Sequence, residues 1–265
     1  MDDLSRALDE ALLRELECPV CIEYMVPPIK LCMNGHNICS RCRGSVQRCP
    51  TCRAEFSEIR NLAMENIARI QKYPCENSQG GCLDRLSIDL IAEHQAGCVY
   101  RKFDCPFLIN IHCSTKCRKS DMKNHLERAH PGSFMETSKL RSDVFQHMRV
   151  RVLFCFGELF VHHQRKRDGR YYWAVQLIGT NSEASKYKCE FTLRAANGFE
   201  QISNTFSVQG YSEDWETNFN SGKCFYLDEV TVKHFLIHNK LNLTITLSTC
   251  NDMESNLLKA RIAML

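Results

Sequence analysis

Apolar and polar positions alternate with period two in four stretches of the C-terminal half. Val150, Val152, Phe154 and Phe156 alternate with Arg149, Arg151, Leu153 and Cys155, and Trp173, Val175 and Leu177 with Tyr172, Ala174 and Gln176. Cys189, Phe191 and Leu193 alternate with Glu190, Thr192 and Arg194, and Leu241, Leu243, Ile245 and Leu247 with Asn242, Thr244, Thr246 and Ser248. These runs predict half-buried antiparallel strands. Asp168-Gly169, set between Arg165–Arg167 and Tyr171-Tyr172, is a hairpin turn signal. One helix is expected over Asp228–His238, with acids at its start and His234 and His238 late, as the helix dipole favours. The sum is a β-sandwich.

The N-terminal half has helical periods instead. Leu4, Leu8, Ala11, Leu12 and Leu16 form one stripe over residues 1–17 and predict an amphipathic helix packed beside the cysteine-rich segment 18–53. Leu62, Ala63, Ile67 and Ile70 give a second, shorter period and predict a helical linker over 54–72 that ends before Tyr73-Pro74. Two further short helices are expected over Ser87–His94 and Ser120–Arg128, and Leu257, Leu258, Ile262 and Leu265 fall at helical spacing in a C-terminal extension, 251–265. Residues 18–53 are too few to bury a core of their own.

Cysteine usage supplies the missing folding energy. The chain has 265 residues and 17 cysteines. Its start, Met1-Asp2-Asp3-Leu4-Ser5, is acidic and lacks an apolar leader, and no run of eighteen apolar residues marks a membrane span. A reducing compartment is therefore expected, where Cys clusters hold zinc more readily than they form disulfides; the glycosylation match Asn242-Leu243-Thr244 is then idle. Seven cysteines and one histidine lie between Cys18 and Cys52, spaced C-x2-C-x10-C-x3-H-x2-C-x2-C-x6-C-x2-C. That is enough for two tetrahedral zinc sites. Cys75-x6-Cys82-x11-His94-x3-Cys98 and Cys105-x7-Cys113-x11-His125-x4-His130 repeat a second pattern and predict two tandem fingers over 73–131. His112 and Cys117 are spare candidates in the second; the shared eleven-residue spacer favours Cys113. Four Zn2+ per chain are expected, and twelve thiolates with four dications bring the formal charge from +3 to −1. Net basicity is then no argument for nucleic acid. Gaps of six and seven between the finger cysteines are too long for DNA-reading fingers, and the expected finger helices carry Asp89, Glu93, Asp121 and Glu127. Cys155, Cys189, Cys224 and Cys250 lack ligand spacing and read as small core residues. Arg165-Lys166-Arg167, with His162 and His163 nearby, reads as a solvated hairpin tip.

The spacing over 18–53 resembles the RING finger. In that family the first and third ligand pairs share one zinc and the second and fourth share the other, which implies Cys18, Cys21, Cys39 and Cys42 for one site and Cys32, His36, Cys49 and Cys52 for the other. The resemblance also implies that Ile22, Pro50 and Arg53 contact a ubiquitin-conjugating enzyme and its ubiquitin, with no nucleophile in the chain itself. The RING followed by Arg60-Asn61-Leu62-Ala63-Met64-Glu65, the two fingers, Cys155-Phe156-Gly157 and Val175-Gln176-Leu177-Ile178-Gly179-Thr180 is similar to the seven in absentia family of ubiquitin ligases. This implies an α+β, zinc-rich multi-domain chain: N-terminal RING, two tandem fingers and a C-terminal antiparallel TRAF-like sandwich over 132–250 that takes up substrate or adaptor proteins and forms a homodimer. Ubiquitin transfer leading to proteasomal degradation, in cytoplasm and nucleus, is the expected activity, with no nucleic-acid or membrane partner; a non-catalytic adaptor is the alternative. Two departures stand out. Only twenty-four residues separate His130 from Cys155, so the strand leading into the sandwich is expected to be missing or cut short, and Arg149 stands where the family has a groove tryptophan.

Overall fold

The computed structural model describes residues 3–142, 148–211, 219–220, 222–238 and 240–250. The chain forms two compact units, Met1–Tyr100 and Arg101–Leu265, so the two fingers, adjacent in sequence, fall in different units. The tail 251–265 and its helical spacing lie outside the described residues.

The first unit opens with α1 (Asp3–Glu15) and continues through β1 (Ile29–Cys32), β2 (Asn37–Cys39), α2 (Ser40–Arg43) and β3 (Phe56–Arg60). The strands form a three-stranded sheet in the order β2-β1-β3. Then come α3 (Leu62–Ile70), β4 (Tyr73–Pro74), β5 (Arg85–Leu86) and α4 (Ile88–Gly97). One apolar core joins these parts: Leu13 and Leu16 at the end of α1, Met25, Ile29 and Ile38 of the RING, Ala68 of α3, Tyr73, and Ile91 of α4.

Two expectations change here. The N-terminal helix forms, but its apolar burial is confined to the C-terminal end, with Asp9 at mid-helix bonded to Gln71 and Arg85: Leu16 is buried while Leu4 is 82% and Leu8 62% exposed. The stretch 54–72 is no mere linker. Its first part is the edge strand β3, paired to β1 through Lys30↔Arg60 and Cys32↔Phe56. The face that α3 buries carries Glu65 and Ala68, whereas Leu62 and Ile70 are exposed. Asn61 explains the switch from strand to helix: its side-chain oxygen accepts from Met64 N (3.1 Å), an N-cap.

In the second unit, β6 (Lys102–Asp104), α5 (Leu108–Ile111), β7 (Lys116–Arg118) and α6 (Lys119–Ala129) build the second finger. The sandwich comprises β8 (Phe134–Glu136), β9 (Lys139–Ser142), β10 (Arg149–Cys155), β11 (Glu158–Arg167), β12 (Arg170–Leu177), α7 (Asn181–Ala184), β13 (Tyr187–Arg194), β14 (Gln201–Ser207), β15 (Gln209–Gly210), β16 (Phe225–Asp228), a short helix Glu229–His234, β17 (Leu236–Ile237), β18 (Lys240–Leu241) and β19 (Leu243–Thr249). One sheet runs β15-β12-β11-β10-β8, with β16 also on β12; the other runs β14-β13-β19-β9. The hairpin at Asp168-Gly169 is a two-residue turn with both residues left-handed (φ +50° and +71°), closing Arg167↔Arg170.

The approach to the sandwich is short but filled. β8 lies parallel to β10 (Val152↔Phe134) and β9 antiparallel to β19 (Ile245↔Leu140), one strand in each sheet. The expected helix 228–238 is cut to Glu229–His234, capped by Asp228, and Leu236–Ile237 turns back as a strand. Between the sheets lies a core that includes Leu153, Phe160, Trp173, Leu177, Phe191, Phe225 and Ile245. A second core covers the other face of the longer sheet: Val150, Val152, Leu159, Val161 and Ile178 pack on Phe103, Phe107, Met122 and Leu126 of the second finger. The finger thus serves as a third layer. Lys119 of α6 reinforces it, bonded to Glu158 (2.8 Å) and Glu183 (3.1 Å).

Candidate metal centres and partner-binding face

The first RING motif, Cys18-Pro19-Val20-Cys21, folds as a knuckle in which Ile22 N donates to Cys18 O (2.9 Å). Cys49-Pro50-Thr51-Cys52 folds the same way, with Arg53 N donating to Cys49 O (2.8 Å). Both closing residues are left-handed, Ile22 at φ +60° and Arg53 at φ +62°. The knuckle turns the thiols inward and leaves other side chains outside: Ile22, Pro50 and Arg53 are all exposed.

The sixteen candidate ligands gather into four sets. Cys18, Cys21, Cys39 and Cys42 form one; Cys32, His36, Cys49 and Cys52 the next; Cys75, Cys82, His94 and Cys98 the third; Cys105, Cys113, His125 and His130 the fourth. Within each set the ligand atoms lie within 4.8 Å of one another. A zinc ion with Zn–S bonds of about 2.3 Å at tetrahedral angles needs an S···S edge of about 3.8 Å. Cys32 Sγ to Cys52 Sγ is 3.7 Å, and Cys75 Sγ to Cys98 Sγ is 3.8 Å. The mixed edges are similar: Cys82 to His94 Nε2 is 3.4 Å, Cys32 to His36 Nδ1 3.5 Å, and Cys113 to His125 Nε2 3.6 Å. The donor atoms are sulfur and imidazole nitrogen without carboxylate, a set that suits zinc and disfavours magnesium or calcium.

Local structure orients these donors. Cys39 caps α2, its sulfur accepting from Cys42 N (3.4 Å). His36 N and Asn34 Nδ2 donate to Cys32 and Cys52 sulfurs (3.3 and 3.5 Å), as Asn77 N does to Cys75 (3.4 Å), so backbone and amide donors face the thiolates. Asp84 lies 3.7 Å from His94 Nδ1, the ring nitrogen opposite the one that faces Cys82. Of the spare candidates, His112 is left-handed at φ +54° and outside the set, and Cys117 sits against Met122 Sδ (3.8 Å).

Sequence reasoning missed a clamp that holds the RING sheet to α3. Glu65 is fully buried; its carboxylate accepts from Ile29 N (3.0 Å), Arg60 Nε (2.8 Å) and Arg60 Nη2 (2.5 Å), with Arg69 at 3.6 Å. The Arg60 guanidinium holds its carboxyl down at about 2. Charged residues five apart across a helix cap were the available signal. Elsewhere, Cys189 and Cys224 are buried as expected, and Cys155 and Cys250 are half-buried. His162 and His163 are not at the solvated hairpin tip. They are buried in β11, and desolvation pushes them down to about 3 and about 4. Among the described residues no helix is long and apolar enough to cross a membrane.

Known proteins share this order of parts. The family model for the RING finger of E3 ubiquitin-protein ligase sina/sinah matches residues 18–52, the Sina zinc finger matches 66–145, and the Sina TRAF-like domain matches 153–246. The E3 ubiquitin-protein ligase sina of Schistosoma mansoni is 30% identical over 258 residues, 92% of this chain and 67% of that protein. The probable E3 ubiquitin-protein ligase sinah of Drosophila melanogaster is 30% identical over 260 residues, 92% of this chain and 72% of its own. The chain belongs to the sina family of E3 ubiquitin-protein ligases. Against siah-1 of Caenorhabditis briggsae, 29% identical over 259 residues, it spans 59% of the relative's length. As a sina-family ligase the chain has RING-type ubiquitin ligase activity, for which it requires a conjugating enzyme and a substrate. The RING and zinc-finger matches, together with the Cys/His sets, support zinc binding.

Proposed function

We propose that Ile22, Pro50 and Arg53 form the face that holds the charged conjugating enzyme, while the sandwich holds the substrate. The observation that carries this is Ile22 itself. A β-branched residue at φ +60° is strained, and it is 68% exposed, so neither backbone nor core asks for isoleucine there. An apolar anchor for a partner does. Arg53, at the matching place in the second knuckle, offers a fork of donors that bridges two partners at once.

No nucleophile is needed. The thioester belongs to the conjugating enzyme, and the RING accelerates transfer by binding the reactive arrangement of that conjugate better than the others. The sandwich raises the effective concentration of substrate lysine. β14 supports this role: it is an edge strand of seven residues, Gln201–Ser207, mostly exposed and without a charged side chain, open to strand addition by an extended peptide. Arg149, half-buried at the start of β10, means that the family's substrate motif does not carry over unchanged. Four Zn2+ per chain, a homodimer, substrate degradation by the proteasome, and residence in cytoplasm and nucleus complete the proposal. The adaptor alternative rests on the shortened approach to the sandwich; β8 and β9, one strand in each sheet, favour the ligase reading over it.

The test is reconstitution with activating enzyme, ubiquitin and a panel of conjugating enzymes, beside an Ile22→Ala, Arg53→Ala double variant. Chains should form with at least one conjugating enzyme and be lost in the variant. Equal activity in the variant would overturn the assignment of the face.

A further inference from the structure

A groove of about 530 Å³ opens beside the first RING knuckle, inside the first unit. Ile22 and Val26 of the RING line one wall; Ser78 of the first finger's loop and Ile88, Ala92 and Gln95 of α4 line the other. The walls do not move independently, because Ile91 of α4 shares a core with Leu16, Met25 and Ile29, and the Tyr24 and Tyr73 rings pack 4.8 Å apart. The groove is therefore preformed, and Ile22 belongs to it.

Size argues for an occupant that reaches beyond the RING. A standard stable interface buries about 800 Å² per partner. The exposed apolar residues around the first knuckle are Val20, Ile22 and Val26, and with Pro50 they supply only part of that area. Charge points the same way: among the described residues the lining contains Glu23 and Glu76 and no basic side chain, which suits an apolar segment flanked by cations.

We infer that the conjugating enzyme's footprint runs from the RING knuckle into this groove, so that the first finger is part of the docking surface for that enzyme. The inference rests on the proposed role of Ile22. It assigns the two fingers different work: the first completes the enzyme-binding face, and the second is a layer of the sandwich.

The experiment is calorimetric titration of the zinc-loaded full chain with conjugating enzymes free of ubiquitin. The variants are Ala92→Arg, which fills the groove from an exposed position, and Leu90→Arg, on the same helix but outside the lining. Ile22→Ala is the reference for the RING face. Ala92→Arg should weaken binding about tenfold, as loss of one interface anchor does, while Leu90→Arg binds as wild type and all keep their zinc. Wild-type affinity in Ala92→Arg alongside lost binding in Ile22→Ala would overturn the extension and leave the RING assignment standing. The same affinities, with Ala92→Arg turning a dimer into a monomer, would mean that a second copy fills the groove, which also overturns it. If Ile22→Ala binds as tightly as wild type, the RING assignment fails and the extension with it.

Discussion

Ile22 sits in a conformation that glycine or asparagine adopts at less cost, with a left-handed penalty of about 1–2 kcal/mol for most side chains. Ile22→Asn is therefore expected to keep zinc and melt no lower than wild type, by circular dichroism, while losing conjugating-enzyme affinity. A fold lost together with binding would mean that Ile22 is a structural residue. Glu65 makes the opposite prediction. Its carboxylate satisfies a buried backbone N–H and the Arg60 fork, so Glu65→Ala should cost about 3 kcal/mol in urea unfolding. A loss under about 0.5 kcal/mol, the range of an ordinary surface substitution, would show the clamp to be idle. The six-residue motif from Arg60 to Glu65 becomes intelligible at this scale: its ends pair, its Asn caps the helix, and its apolar residues are secondary.

At the level of elements, periodicity located the helices better than their buried faces. Leu4 and Leu8 lie on the α1 stripe yet stand in solvent, because only the C-terminal end of the helix reaches the RING core. Leu8→Gln should change stability by less than about 0.5 kcal/mol, whereas Leu16→Ala should cost about 2–5 kcal/mol. In α3 the stripe failed because the core there accepts an ion pair, which no hydrophobic pattern records. Ligand spacing was far more legible, since a tetrahedron fixes which residues must converge. In β10–β12 the alternation was blurred by the second finger, which buries the sheet's other face. On the opposite face, turned to the other sheet, His162 follows Phe160 and is buried as well, and its two ring nitrogens have no hydrogen-bond partner among the described residues. Desolvation, then neighbouring His163, Arg151 and Arg149, lower its folded pKa to about 3, so the unfolded chain takes up the proton first. Stability is then full above about pH 6.5 and falls as pH drops below it, by about 1.4 kcal/mol per pH unit for one such group. His162→Leu should flatten the wild-type slope between about pH 6.5 and 5 by that amount, read from urea midpoints by Trp fluorescence; an unchanged slope would refute it.

Across the whole molecule the four candidate metal sets among the described residues divide three to one, with two RING sets and a finger set in the first unit and one finger set in the second. Each structural zinc supplies folding free energy on the order of 10–16 kcal/mol. The main sandwich core contains no candidate ligand. Chelation should therefore abolish the first unit's cooperative melting while the sandwich keeps a lowered transition, and metal analysis of the untreated chain should find four zinc ions; two would mean that the finger assignments are wrong. The central claim is that an apolar residue outside the metal shells lets this chain activate a conjugating enzyme. Single-turnover discharge of a ubiquitin-charged conjugating enzyme to free lysine tests it most directly, because substrate and sandwich play no part. Wild-type chain should speed discharge and Ile22→Asn, with its four zinc ions in place, should not. Equal discharge by the two would contradict the account.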